Sequence, residues 1–192
     1  MSSTPVKTRR WTRFEYDRLI EIGIFRAGDK VELLGGQLCV SKPQNSPHAT
    51  AIWLAQEALR RTLPRAWGVR VQLPIALDEE SEPEPDLAVV PGGPRDYPDG
   101  HPSRPALLVE VADSSLAIDR DHKGSLYARG RVPEYWIVNL QDRVLEVYRE
   151  PGPDTSALYG WAYRAMQTLN TEEHVTPLAA PSARIPVADL LP

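Results

Sequence analysis

Leu107-Leu108-Val109-Glu110-Val111 is the stretch on which the fold of this 192-residue chain turns. Successive side chains of a strand point to opposite faces, and here apolar residues fall on both sides of that alternation, as they do in a strand covered on both faces. The segment therefore predicts a central strand with a layer packed on each side. Glu110 interrupts it. An ionised carboxylate taken out of water without a partner costs several kcal/mol, so a glutamate in such a place is paired, protonated or bound to a metal.

Strands and helices alternate on either side of that segment. Upstream, Thr12 and Glu15 have the spacing of a capping box, with Trp11 and Tyr16 placed as a hydrophobic staple, and predict a helix from Arg13 to Ile22 stopped by Gly23. Val31–Leu34 and Gln37–Val40 flank Gly35-Gly36, a pair that accepts the positive φ of a tight hairpin turn. Ser46 and Pro47 mark the start of a helix to about Leu63, with His48, Ile52, Ala55 and Leu59 on one face. A strand over Val69–Leu77, broken at Pro74, and another over Asp86–Val90 lead to a Gly/Pro-rich loop, Pro91–Pro105. Downstream, a helix over Asp119–Arg129 precedes strands at Tyr135–Leu140 and Val144–Tyr148, joined by a turn at Gln141-Asp142, and a further strand at Trp161–Leu169. The pattern is mixed α/β, with helices against a sheet.

Length supports one domain over residues 1–192, with a mobile arm at 1–10 and an irregular, Pro-rich wrapping tail at 176–192. The chain is 42% hydrophobic and 25% charged, which excludes wholesale disorder, collagen and coiled coil. A formal charge of −4 means that any nucleic-acid contact must come from a local basic patch. With Cys39 as the one cysteine, no disulfide or cysteine-rich zinc site can form, and a reducing cytoplasm is the expected compartment. No stretch of about 18 apolar residues occurs, so no membrane span is expected.

Three residues suggest chemistry. Asp86 opens a strand after Pro85, Glu110 lies in the central strand, and Lys123 sits on the following helix within reach of the same pole of the sheet. Two carboxylates on neighbouring strands make a hard oxygen site suited to Mg²⁺ or Mn²⁺, and an added lysine completes the ingredients of metal-assisted phosphodiester hydrolysis. Each has a plain alternative: Glu110 salt-bridged to an arginine, Asp86 capping a turn, Lys123 solvated on its helix. His48 either points into a cleft or is a satisfied core histidine. Gln72 either lines the site or is an ordinary strand glutamine. Asp113 and Asp119 read as a turn residue and a helix cap, and Tyr127 falls on the helical face of Lys123. Trp53, Trp67, Trp136 and Trp161 read as core, although an exposed one could stack on a base. Arg9, Arg10 and Arg13 form one basic cluster, and Arg60, Arg61, Arg65 and Arg70 another.

Pro85-Asp86 with Leu87–Val90, Leu107–Ser114, Asp119–Lys123, Tyr127, Gly130 and above all Glu134-Tyr135-Trp136-Ile137-Val138 resemble the Uma-type family, bacterial proteins classed with the restriction endonucleases of the PD-(D/E)XK nuclease superfamily. The resemblance runs from Trp11 to the Pro-rich end. It implies a restriction-endonuclease-like mixed sheet core flanked by helices, with an N-terminal helix and hairpin. It implies Asp86 and Glu110 as ligands of Mg²⁺ or Mn²⁺, Glu32 as a further acidic site residue, and DNA as substrate. The superfamily's lysine two residues after the acidic residue is replaced here by Ala112, which makes Lys123 the migrated candidate, with Lys30 and Lys42 as other possible cations. A homodimer is expected, since cutting both strands of a duplex calls for two symmetric sites. The alternative is a catalytically inactive nuclease-fold protein that binds nucleic acid or protein.

Overall fold

The structure, a computed structural model, describes residues 8–26, 28–40 and 44–192. Helix α1 (Arg13–Glu21) begins at the Thr12/Glu15 capping box, and Trp11 and Tyr16 pack in one cluster with Val31 and Leu33. Strands β1 (Val31–Leu34) and β2 (Gln37–Val40) form the antiparallel hairpin, with Gly35 and Gly36 both at positive φ. Helix α2 (Ser46–Thr62) follows, capped by Asn45 through His48 N–H, and leads to β3 (Trp67–Val71), β4 (Leu87–Pro91) and β5 (Leu107–Ala112). The connection after β5 holds a short α3 (Leu116–Ile118), a π-helical turn (Asp119–Lys123) and α4 (Gly124–Arg129). Strands β6 (Glu134–Asn139), β7 (Val144–Pro153) and β8 (Trp161–Leu169) complete the main sheet.

That sheet has six strands in the order β3-β4-β5-β6-β7-β8. Only β5 and β6 run parallel, as the helical crossover between them requires; the other neighbours are antiparallel. β5 is covered on both faces. Leu107, Val109 and Val111 join Ile52, Ala55 and Leu59 of α2 in one core, whereas Leu108 and Ala112 join Leu126, Tyr127, Tyr135 and Ile137 in the other. Each of the Val, Leu and Ile side chains fully removed from water contributes about 1.5–3 kcal/mol, which holds the two helical layers to the sheet.

Several expected elements differ. The strand expected over Val69–Leu77 ends at Val71, because Gln72 has φ 49° and turns the chain away. The N–H groups beyond it go to loop carbonyls instead, Ile75 to Pro83 and Ala76 to Pro102. The helix expected over Asp119–Arg129 starts earlier, at Leu116, and is π-helical in its middle. The Pro-rich tail is not wholly irregular: β9 (His174–Val175) and β10 (Ile185–Pro186) pair, and Val187, Leu190 and Leu191 pack into the α2 core. Residues 1–7 of the arm lie outside the described residues. Its end is tethered, with Arg10 Nη2 donating to Gly35 O at 2.7 Å and Trp11 N–H to Gly36 O. Trp136 is core, but Trp53 is 70% exposed, which corrects its assignment to the interior.

Candidate functional site

The ladder between β4 and β5 sets Leu87 opposite Val109, and one step further along it Asp86 comes beside Glu110. Because Glu110 alternates with Val109 and Val111, its side chain lies on the α4 side of the sheet, buried to 3% exposure. There its Oε1 accepts from Tyr127 Oη at 2.6 Å and from Lys123 Nζ at 2.9 Å. The lysine also lies 3.9 Å from Glu32 Oε2, which accepts from the Glu84 N–H at 3.0 Å. Tyr127 follows Lys123 by four residues, so one helical face delivers both donors to the same oxygen.

Asp86 is bound from all sides. Its Oδ2 accepts from Val111 N–H at 2.9 Å and lies 3.2 Å from His48 Nε2, and its Oδ1 accepts from Gln72 at 3.2 Å and Gln44 at 3.4 Å. Of the two positions left open for His48 and Gln72, each is at this site. His48 reaches it because α2 carries its first turn over the β4 end.

Glu32, Gln44, His48, Gln72, Asp86, Glu110 and Lys123 line one cavity of about 370 Å³, together with Lys30, Glu84, Asp113, Asp119 and His122. Lys42 lies outside the described residues. The charges are strongly interdependent. Burial pushes the Glu110 carboxyl up to about 8 against the downward pull of Lys123. Burial also works against the Lys123 ammonium, but Glu110, Glu32 and Asp119 more than reverse this and hold it above its ordinary value. For Asp86, burial is outweighed by the His48 hydrogen bond and charge and by the Val111 N–H, so its carboxyl lies below the usual range, while His48 is raised in turn. Asp86 is thus an ionised carboxylate in a buried place.

Asp119 is a residue that the sequence pattern misassigned. It is not a helix cap: it is 2% exposed, accepts from Ser115 Oγ at 2.6 Å and faces the cavity, with its carboxyl raised by burial. Glu84 was also missed, although the acidic run before Pro85 signalled it; its carboxyl is raised by burial and then by Glu32.

The chain belongs to the Uma2 family. The family's model, described as "Putative restriction endonuclease", matches residues 14–188. Among solved structures, the crystal structure of "a putative nuclease belonging to DUF820 from Anabaena variabilis ATCC 29413" superposes with a TM-score of 0.63 at 15% identity, covering 83% of this chain and 88% of that one. The chain therefore shares the fold of that protein. No curated protein matches the chain.

Does this Uma2 cavity suit a divalent ion? Among the described residues, no group of three or more His, Cys, Asp or Glu is arranged to hold one. Mg²⁺, however, keeps several waters and is commonly held through one or two carboxylates, so a ready three-ligand cage is not required. Asp86 and Glu110 supply hard oxygens, and Glu110 Oε2 makes no hydrogen bond among the described residues. The donor set fits Mg²⁺ or Mn²⁺ better than Zn²⁺. Among the described residues, no helix is long and apolar enough to cross a membrane.

Proposed function

We propose that this Uma2 protein is a Mg²⁺- or Mn²⁺-dependent endonuclease acting on DNA, with Asp86 and Glu110 as metal ligands, Glu32 as an accessory carboxylate and Lys123 as the catalytic cation. What supports the reading is that Asp86, Glu110 and Lys123, carried on different elements, line one cavity at the strand ends. When bound, the ion would polarise the scissile phosphoryl oxygen and lower the pKa of water. The protein's own groups do the rest. Val111 N–H, Gln72 and His48 fix the orientation of Asp86 and keep it ionised. Tyr127 fixes Glu110. Lys123, whose ammonium Glu110, Glu32 and Asp119 hold above its ordinary value against burial, meets charge that develops on the pentacovalent phosphorane, where a lowered dielectric strengthens its effect. On this reading residues 1–192 act as one cytoplasmic domain, working as a homodimer.

A second reading has one observation in its favour. Lys123 is already held by Glu110, and such a closed buried ion pair also suits an inactive fold that binds nucleic acid or protein without cutting. Cleavage of supercoiled plasmid in Mn²⁺, with calorimetry of Mn²⁺ binding, separates the two. The nuclease reading expects Asp86→Ala and Glu110→Ala to lose both cleavage and ion binding, and Lys123→Ala to lose cleavage but bind Mn²⁺. Wild-type protein that neither nicks plasmid nor binds Mn²⁺ would sink it.

A further inference from the structure

The main sheet ends on one side at β3, and a second cavity of about 730 Å³ runs along that free edge. Gln56 and Arg60 from the second half of α2, Arg65 and Trp67 at the start of β3, and Arg70 and Tyr97 line it. The groove lies alongside the acidic cavity. Both are bordered by α2, whose first turn serves the acidic cavity, and eight to twelve residues along it at 1.5 Å each separate His48 from Gln56 and Arg60 by about 12 to 18 Å.

Its arginines differ from the others that the sequence clustered. Arg9, Arg10 and Arg13 are ion-paired with Glu15, Glu80 and Glu82, and Arg61 with Asp189. Arg60, Arg65 and Arg70 have no carboxylate partner among the described residues, and no carboxylate lines the groove. Arg70 stacks over the Tyr97 ring at 5.9 Å, donates to Pro74 O at 3.3 Å, and leaves its buried Nε without a partner. Three unneutralised cations on one groove of a chain whose net charge is −4 point to an anionic, repeating ligand. The exposed Trp53 adds a second feature. It stands in the same row of α2 as Gln56 and Arg60, at i, i+3 and i+7, so its exposed indole follows the helix on from the two side chains that line the groove.

We propose that the groove along the free edge of β3 is a track for one unpaired strand of nucleic acid, whose phosphates rest on Arg60, Arg65 and Arg70 while a base stacks on Trp53. The proposal rests on the nuclease reading for its choice of a nucleic acid, and it names the form of substrate: a single-stranded segment running beside α2 toward the acidic cavity. A cationic groove with aromatic faces is what unpaired strands require. A duplex keeps its bases stacked on each other and has no face to present to Trp53, and a peptide without acidic side chains added to the β3 edge would give the three arginines nothing to neutralise.

The test is fluorescence anisotropy of the full chain in EDTA, which removes cleavage from the measurement, with labelled single-stranded DNA and RNA of about 12 nucleotides and the corresponding duplex. Single strands should bind more tightly than duplex, with DNA against RNA reporting the sugar preference. Between about 50 and 200 mM salt, Arg60→Ala with Arg65→Ala should lower the slope of log affinity on log salt by about 1.4, at about 0.7 per phosphate. Trp53→Ala should weaken binding about tenfold, and Trp53→Phe should recover most of it because a ring remains. All three side chains are exposed, so thermal melts should match wild type. Preference for duplex, an unchanged salt slope, wild-type affinity in Trp53→Ala, or no oligonucleotide binding at all overturns the track. Absence of plasmid cleavage by wild type with the binding pattern intact would instead remove the nuclease reading and leave the track standing.

Discussion

Replacing Tyr127 by Phe isolates the hydrogen bond that orients Glu110. Tyr127 is fully buried, Glu110 is 3% exposed, and the phenol donates to Oε1 at 2.6 Å. The substitution keeps the ring in its T-shaped contact with Tyr135, with centroids 5.0 Å apart, so apolar burial is preserved and only the hydroxyl is lost. A hydrogen bond to a carboxylate contributes about 1.5–3 kcal/mol, against about 1 kcal/mol for a neutral acceptor. With a urea m-value of about 2.5 kcal/mol/M for a chain of this size, the unfolding midpoint should fall by about 0.6–1.2 M. Tyr163→Phe is the internal comparison, since its hydroxyl donates to the neutral Val132 carbonyl at 2.9 Å, and it should cost about 0.4 M. Urea melts followed by tryptophan fluorescence, in EDTA at about pH 9, where a Glu110 carboxyl raised to about 8 is ionised, would measure both. A Tyr127→Phe midpoint no lower than that of Tyr163→Phe would refute the claim that Glu110 is held by this bond. In the same variant, Mn²⁺-dependent plasmid nicking should drop, because a loosened Glu110 no longer holds its position.

Three other outcomes are expected. Gly130→Ala would set a Cβ 2.7 Å from Leu77 Cγ in the core and cost about 1–3 kcal/mol, seen as a melting temperature lower by roughly 3–8 °C. Glu82 is 3% exposed, and burial, reinforced by Asp17, pushes its carboxyl from 4.5 up to about 7; the folded state holds that proton more tightly than the unfolded chain, so stability should decline as pH rises from 4.5 towards 7, and thermal melts of Glu82→Gln should lack that part of the decline. Calorimetry should find Mn²⁺ binding that Mg²⁺ displaces, whereas tight stoichiometric Zn²⁺ binding without Mn²⁺ binding would contradict the oxygen-ligand set.

The central part of the fold was legible because Leu107–Val111 carries its own evidence: apolar residues on both faces of a short segment admit few environments, and a glutamate among them marks a site. Gly35-Gly36 likewise declared its turn. The segment after β3 was not legible, because Leu73, Ile75 and Leu77 continue a strand-like alternation while the hydrogen bonds that end the strand come from Pro83 and Pro102, which local pattern cannot foresee. Asp119 was hidden by the π-helical turn, whose Gly124 N–H bonds to Asp119 O, a spacing absent from α-helical periodicity. Trp53 read as interior on its residue type alone, whereas its place on the helix turns it outward. Local pattern does not place His48 and Gln72, since each depends on Asp86, a partner distant in the chain.

The parallel pairing of β5 with β6 has a consequence for the protein's birth. Glu32 leaves the ribosome first, Asp86 and Glu110 follow, and Lys123 lies in the crossover that can be seated only once β6, ending at Asn139, is available to receive it. Pairings between distant parts of a chain form late, after the entropy of closing the intervening loop has been met. A nascent or truncated chain that stops short of β6 therefore carries the acidic residues without the sheet that gathers them, and a cell translating this message would meet the assembled pocket only after most of the polypeptide had been made.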